Sequence, residues 1–324
     1  MAAPVNTATT LTQVGGREDL EDVINRVAPE DTPFYSNIGT STAAKATYHE
    51  WQTEALGTPT ADNATLEGDD TTDFEQNITT RVGNHTQILK HAFVVSGTQE
   101  KVDKAGRKSE LGRQRRIWGI EVKRDKEATL LSNNASTPEA GGNPRKAAGI
   151  QAWLETNVSL GAGGATGGFA ATPGNTLVAA ATPGTVRPFS RDQVDEVMQS
   201  CFDESGSSKN RQMYLSSGLK RTFSTFVGIT ELRTDANAGK QASIVGAAEA
   251  YTSDFGMVRT IPVAYGLTDS VLLIDPSKVG VSTLRPMMTE RLAKTGDNEK
   301  HHILCEKTLV VDNEKAHGVI HAVQ

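Results

Sequence analysis

The chain has 324 residues, of which 37% are hydrophobic and 5% aromatic, with 30 glycines and a formal net charge of -6. That length allows one or two interleaved cores, and the profile suits a β-rich, loop-rich protein better than a helical bundle. It excludes a global attraction to nucleic acid or an anionic membrane, a membrane span of the ~20 apolar residues a bilayer needs, and a disulfide-stapled or metal-caged fold, since Cys201 and Cys305 stand alone.

The start, MAAPVNTATTLTQVGGRE, has neither a basic region nor an apolar run, so no signal peptide and a cytosolic chain are expected. Its first sixteen residues have no period and read as an extended arm. Residues 17–28, REDLEDVINRVA, then place Leu20, Val23, Ile24 and Val27 at helical spacing behind an acidic first turn. This predicts a short amphipathic helix stopped at Pro29.

Strands are expected over 45–51 and within 76–95. Between Ala46 and Thr80 there is no Lys or Arg, but Glu50, Glu54, Asp62, Glu67, Asp69, Asp70, Asp73 and Glu75 are all acidic. The pattern predicts a long β-hairpin with an acidic tip too polar to bury a core.

Residues 96–132 contain no proline and read as one long, mostly solvated helix capped by Ser96 or Thr98. Its apolar positions are sparse: Val102, Ala105, Leu111, Trp118, Val122 and Leu130. From Glu100 to Glu127 there are ten Lys or Arg against six Asp or Glu. A helix with so thin an apolar stripe needs a partner beyond its own core.

The uncharged Gly/Ala/Thr/Pro stretch 159–185 reads as a loop. Ser190 and Gln193 have capping-box spacing ahead of a helix whose Val194, Val197, Met198 and Cys201 share a face. RQMYLSS and GLKRTFSTFVG follow as strand and helix. Beyond Ala242 the chain is dominated by strands, with Asp254-Phe255-Gly256 as a turn between two of them and Phe255 burying its ring between strands.

No catalytic constellation emerges. The DFG tripeptide lacks the Gly-rich loop, strand lysine and catalytic-loop Asp that give it meaning in a kinase. GAGGATGG lacks the Lys-Ser/Thr end of a phosphate-binding loop. His301 and His302 are adjacent on an expected strand and so point to opposite faces. His85, His91, His317 and His321 are single, and Asn63, Asn77 and Asn84 sit in N-x-T triplets without a secretory signal. Neither an enzyme nor a cofactor is therefore expected.

The order of parts, and above all REDLEDVINRVAPEDTPFYSNIG, AYTSDFG and LAKTGDNEKHHILCEKTLVVDNEKAHG, resembles the major capsid proteins of tailed bacteriophages with the Hong Kong 97-like fold, over nearly the whole chain. The resemblance implies an α+β fold with an N-terminal arm and short helix over 1–40 and an extended hairpin, the E-loop, over 41–95. It further implies a spine helix and P-domain over 96–144, an A-domain over 145–270, and C-terminal strands over 271–324 that complete the P-domain and adjoin the A-domain. The implied function is a structural subunit that assembles in the host cytoplasm into pentamers and hexamers of an icosahedral virion shell around double-stranded DNA, with separate scaffold, portal and decoration proteins as further partners. On this resemblance the short arm is expected to leave no room for a fused scaffolding domain, so that either a separate scaffold protein directs assembly or none is needed. Charge segregation then suggests subunit contacts between Glu67, Asp69, Asp70 and Asp73 on the hairpin and Arg107, Arg113, Arg115 and Arg116 on a neighbour's helix. The alternative is a sequence-independent nucleic-acid-binding protein using the basic-leaning helix, against which the six interleaved acids count.

Overall fold

Three β-sheets organise the chain in the computed structural model, which describes residues 28–65, 67, 68, 70, 74, 76–170, 176–206, 211–226 and 250–324. The arm and all but the last residue of the amphipathic helix expected over 17–28 lie outside the described residues.

Helix α1 (Pro33–Asn37) starts on a proline, where the missing N–H would have no helical partner anyway. After strand β1 (Gly39–Thr40), strands β2 (Tyr48–Thr53) and β3 (Thr80–His85) pair antiparallel, Tyr48 opposite His85 and Thr53 opposite Thr80. Residues 54–79 connect them, as the hairpin expectation required. Strand β4 (Gln87–Ser96) leads into helix α2 (Gly97–Lys101) and helix α3 (Glu110–Leu131).

The single helix expected over 96–132 is thus two helices. Gly106 adopts φ +71° between them, a conformation that ends a right-handed helix. The break is held by side chains that also read as helix surface: Lys104 Nζ donates to the carbonyls of Gln99, Glu100 and Val102, and the Glu100 carboxylate accepts the N–H groups of Glu110 and Leu111. Ser109 caps α3 by accepting from Gly112 N at 3.0 Å.

The chain continues through α4 (Ile150–Trp153), β5 (Val158–Ser159), β6 (Gly168–Ala170), β7 (Thr176–Ala179), α5 (Arg191–Ser205), β8 (Arg211–Ser216) and α6 (Ser217–Phe223). It ends with β9 (Ala250–Ser253), β10 (Gly256–Val263), β11 (Val271–Ile274), β12 (Val279–Arg291), β13 (Asn298–Val311) and β14 (Gly318–Ile320). The strand orders are β1-β12-β13-β4, β5-β14-β11-β8-β10-β9 and β2-β3-β7-β6. The C-terminal residues therefore divide between two sheets: β12 and β13 extend the one that carries β4, and β11 and β14 enter the six-stranded one.

The glycine-rich stretch read as a loop contributes β6 and β7 to the hairpin sheet. Small residues make this possible, since a side chain at Gly184 (φ +84°) would collide with the backbone of Gly161. On α5 the capping box is complete, with Ser190 and Gln193 each accepting from the other's backbone N–H. Its face of Val194, Val197, Met198 and Cys201 is buried against the six-stranded sheet with Met213, Val258 and Leu273.

Asp254 and Phe255 form the two-residue turn of the β9–β10 hairpin. The Phe255 ring does not enter between the strands, as expected from sequence; it packs on Phe202 of α5, centroids 5.9 Å apart, because the turn projects past the sheet toward that helix. Gly256 holds φ +128°. Gly256→Ala is expected to lower stability by about 1 kcal/mol or more, since a Cβ is strained there, whereas Asp254→Asn should leave the melting temperature nearly unchanged. Thermal melts of the two variants check this.

Candidate assembly surface

Helix α3 packs one side on β4 and β13. Val122 is buried with Phe93, Val95, Ile303 and Cys305, and Leu111 and Trp118 cover the edge. His91 on β4 stacks on Trp118 at 4.9 Å and its Nε2 lies 2.6 Å from Asp125 Oδ2. Farther along, Leu130 and Leu131 enter the main core with Phe34 of α1 and Trp153 of α4.

Two charged residues share this buried side. The Glu127 carboxylate accepts the backbone N–H groups of Phe34 at 2.8 Å and Tyr35 at 2.7 Å, which fastens α1 to α3; burial pushes its carboxyl above the usual range despite those bonds. Lys126 Nζ sits 4.3 Å from the centre of the Tyr35 ring, and burial lowers its pKa. Tyr35 also accepts a hydrogen bond from Lys307 Nζ at 2.6 Å. Sequence reading counted Lys126 and Glu127 as solvated charges. The signal was present, because Trp118, Val122, Lys126 and Leu130 form one i, i+4 row.

The other side of α3 holds the arginines nominated from sequence. Arg107 and Arg113 both pair with Glu110, the latter at 3.0 Å. Arg115 and Arg116 are exposed and make no ion pair among the described residues. The four do not share one face: Arg107, Arg113 and Arg116 line a groove beside residues 28–30, and Arg115 does not.

The hairpin that carries the nominated acids is fixed at its base and open at its tip. Asn84 donates to the carbonyls of Ala148 and Leu309 and accepts from Ala148 N, all within 3.3 Å. Trp51 Nε1 donates to the Val311 carbonyl at 3.0 Å, and its ring lies 5.5 Å from that of Trp153. Beyond Thr53 the chain leaves this support. Glu67 and Asp70 are exposed on either side of Gly68, while Asp69 and Asp73 lie outside the described residues. Sequence reading missed three apolar residues here: Leu56, Phe74 and Ile78 are 90%, 85% and 75% exposed. Their isolation in an acidic, threonine-rich stretch was the available signal.

Among the described residues neither Glu67 nor Asp70 makes an ion pair with these arginines; the hairpin tip is exposed, and so are Arg115 and Arg116. Uncovered apolar side chains of this kind suit a contact with another chain. Over residues 3–324 the sequence matches the family model described as SU10 major capsid protein. The chain belongs to the SU10 major capsid protein family.

A major capsid protein is the shell-forming subunit of a phage head, and that role comes with the family. The major capsid protein of Escherichia phage Phieco32 is 38% identical over 125 residues, which is 39% of this chain and 35% of that protein, so the match spans about a third of the relative's length. The capsid of Cyanophage A-1(L) superimposes with a TM-score of 0.65 at 11% identity, covering 98% of this chain and 99% of the other. The mature capsid of bacteriophage PhiM1 gives 0.60 at 10% identity, covering 100% and 97%. At such identities these structures show the fold alone, and it is the Hong Kong 97-like fold. Within this family the chain is α+β as expected. Among the described residues no helix is long and apolar enough to cross a membrane.

Proposed function

We propose that this capsid subunit forms pentamers and hexamers that close an icosahedral shell around double-stranded DNA, and that the hairpin loop 54–79 of one subunit lies across α3 of the next. Assembly in the host cytoplasm, with separate scaffold, portal and decoration proteins as partners, belongs to the same reading. The observation that carries the contact is the tip of the hairpin, where Leu56, Phe74 and Ile78 stand uncovered among acids that have no base in their own loop. In this reading residues 41–95 are the E-loop, 96–144 the spine and P-domain, and 145–270 the A-domain.

Magnitudes rank the two kinds of contact. An exposed ion pair such as one between Asp70 and Arg115 contributes a few tenths to about 1 kcal/mol. Covering a side chain the size of Phe74 contributes about 1.5–3 kcal/mol. The apolar anchors therefore supply the strength, and the charges the register and the encounter rate.

Phe74→Ser is expected to raise the protein concentration needed for assembly by about tenfold or more, since every 1.4 kcal/mol is a factor of ten. Glu67→Lys with Asp70→Lys should slow assembly and reduce its salt dependence with a smaller shift in that concentration. Light scattering across a salt series, with electron microscopy of the products, reads both. Assembly unaffected by all three substitutions would refute the contact.

A further inference from the structure

Strand β4 is an outer strand of the β1-β12-β13-β4 sheet, and at 10 residues it is the longest outer strand among the described residues. It pairs with β13 without a break in register from Gln87 to Ser96, whereas β12 on the far side of β13 carries register shifts. Gly97 N donates to the Asp297 carbonyl at 3.2 Å, one step beyond the Ser96–Asn298 pair. Antiparallel bonds recur at every second residue, so the odd positions of β4 bond to β13. The N–H and C=O groups of Ile88, Lys90, Ala92, Val94 and Ser96 therefore point to the open side. No backbone hydrogen bond from another strand reaches them among the described residues.

The same positions carry the exposed side chains of the strand, with Val94 60% and Ile88 42% exposed, while Leu89, Phe93 and Val95 pack with Val122 of α3. Proteins blunt such an edge with proline, a bulge, several lysines or a cover, because it templates pairing with another chain. β4 has no proline, no register shift and a single lysine, Lys90.

A shell built from copies of one chain meets itself across two-fold axes, where the same surface lies on both sides. A strand placed beside its own copy by such an axis runs antiparallel to it. The register follows from the residues. Centred on Lys90, the pairing would set ammonium against ammonium; centred on His91, it would leave the two lysines diagonal neighbours at about 7–8 Å. Centred on Ala92, it gives every outward position a partner: Ile88 opposite Ser96, Lys90 opposite Val94, and Ala92 opposite its own copy. The lysines then stand roughly 13 Å apart along the strands, and each aliphatic stem covers an exposed valine.

We infer that β4 pairs antiparallel with β4 of a second copy across a two-fold axis centred on Ala92, joining two sheets into one. This rests on the shell proposed above and is independent of where the hairpin loop docks.

The test compares Ala92→Cys with Lys90→Cys in assembled shells of the full-length chain. Opposed residues of such a pair have Cα atoms about 5.5 Å apart, within reach of a disulfide. Cys201 and Cys305 are buried and leave a low background. Under mild oxidation Ala92→Cys is expected to give covalent dimers and no larger species, and Lys90→Cys is not. No dimer from Ala92→Cys in closed particles, or equal yields from the two variants, would overturn the pairing. Ala92→Pro gives a second readout, since it deletes an N–H that β13 does not use. Its melting temperature is expected to stay near that of the wild type while assembly slows several-fold, and assembly at the wild-type rate would overturn the pairing. Electron microscopy separates the two readings: a wild-type chain that forms no closed particle removes the shell and the pairing together, whereas closed particles without the link remove the pairing alone. Should the cysteine variants not fold, hydrogen exchange of the wild type decides. Slower exchange of the Ile88, Lys90, Ala92 and Val94 amides in the shell than in the free subunit is expected, and equal exchange would overturn the inference.

Discussion

Replacing Glu306 with alanine is expected to destabilise the subunit by about 3–5 kcal/mol, the cost of stranding buried charge by removing one partner. Glu306 is buried on β13, and its carboxylate is shared by three donors: Thr86 Oγ1 at 2.7 Å, the Arg145 guanidinium, and Arg285 Nε at 2.9 Å. Burial alone would push its carboxyl up, but these bonds outweigh it and hold the pKa below the usual value. The cluster joins the β12–β13 hairpin to the end of β3 and to the segment after α3. A melting temperature lower by on the order of 5–10 °C is expected for Glu306→Ala, with a smaller drop for Glu306→Gln, which keeps an acceptor. Arg145→Ala should cost more than Arg285→Ala, because Arg145 is the more buried of the two. Differential scanning calorimetry of the four variants checks the ranking, and an unchanged Glu306→Ala would contradict it.

Acidification from pH 7 to pH 5 is the second large effect. His317 and His321 are buried, and burial pushes both pKa values down to about 4. His317 Nδ1 accepts from Asp275 N at 3.1 Å, and His321 Nδ1 lies 3.0 Å from Ser270 Oγ. Nearby Asp275 and Asp269 favour protonation of His317 and His321 respectively, and Arg211 opposes it at His317, without reversing the effect of burial. In the unfolded chain these imidazoles take up protons near pH 6.5, ahead of the folded state, so stability falls as pH drops from about 6.5 toward 4. Each histidine is expected to cost on the order of 2 kcal/mol by pH 5. Glu306 and Glu110, whose folded pKa values are depressed, add a further loss only below the ordinary carboxylate range. Glu127, whose pKa is raised, acts in the opposite direction. Urea unfolding at pH 7 and pH 5 reads the sum. A flatter profile is expected for His321→Gln, and a wild-type stability constant between those pH values would refute the assignment.

Local signals announced the elements whose determinants lie close together in the sequence. The Ser190 and Gln193 pair with its apolar face marked α5, the alternating runs around 254–256 marked the β9–β10 hairpin, and the base-free stretch 46–80 marked the long hairpin. The break between α2 and α3 escaped because its stabilising contacts come from Glu100 and Lys104, which are indistinguishable from helix surface until the chain turns at Gly106. The strands β6 and β7 escaped because small uncharged residues carry no alternation, and they form only where β3 supplies an edge. Buried Lys126, Glu127 and Glu306 depend on partners far off in the chain, such as Tyr35 for Glu127, 92 positions away, and Thr86 for Glu306, 220 positions away, which no local pattern specifies. The buried state of His317 and His321 was visible in part, since the C-terminal run HGVIHAV is otherwise apolar.

The claim that the hairpin loop of one subunit completes its neighbour is tested most directly by a cryo-electron microscopy map of the assembled shell. The account predicts residues 54–79 of each subunit lying on α3 of an adjacent subunit, with Phe74 covered and Glu67 or Asp70 within reach of Arg115 or Arg116. A loop folded back on its own subunit, or standing free with Phe74 in solvent, would contradict it.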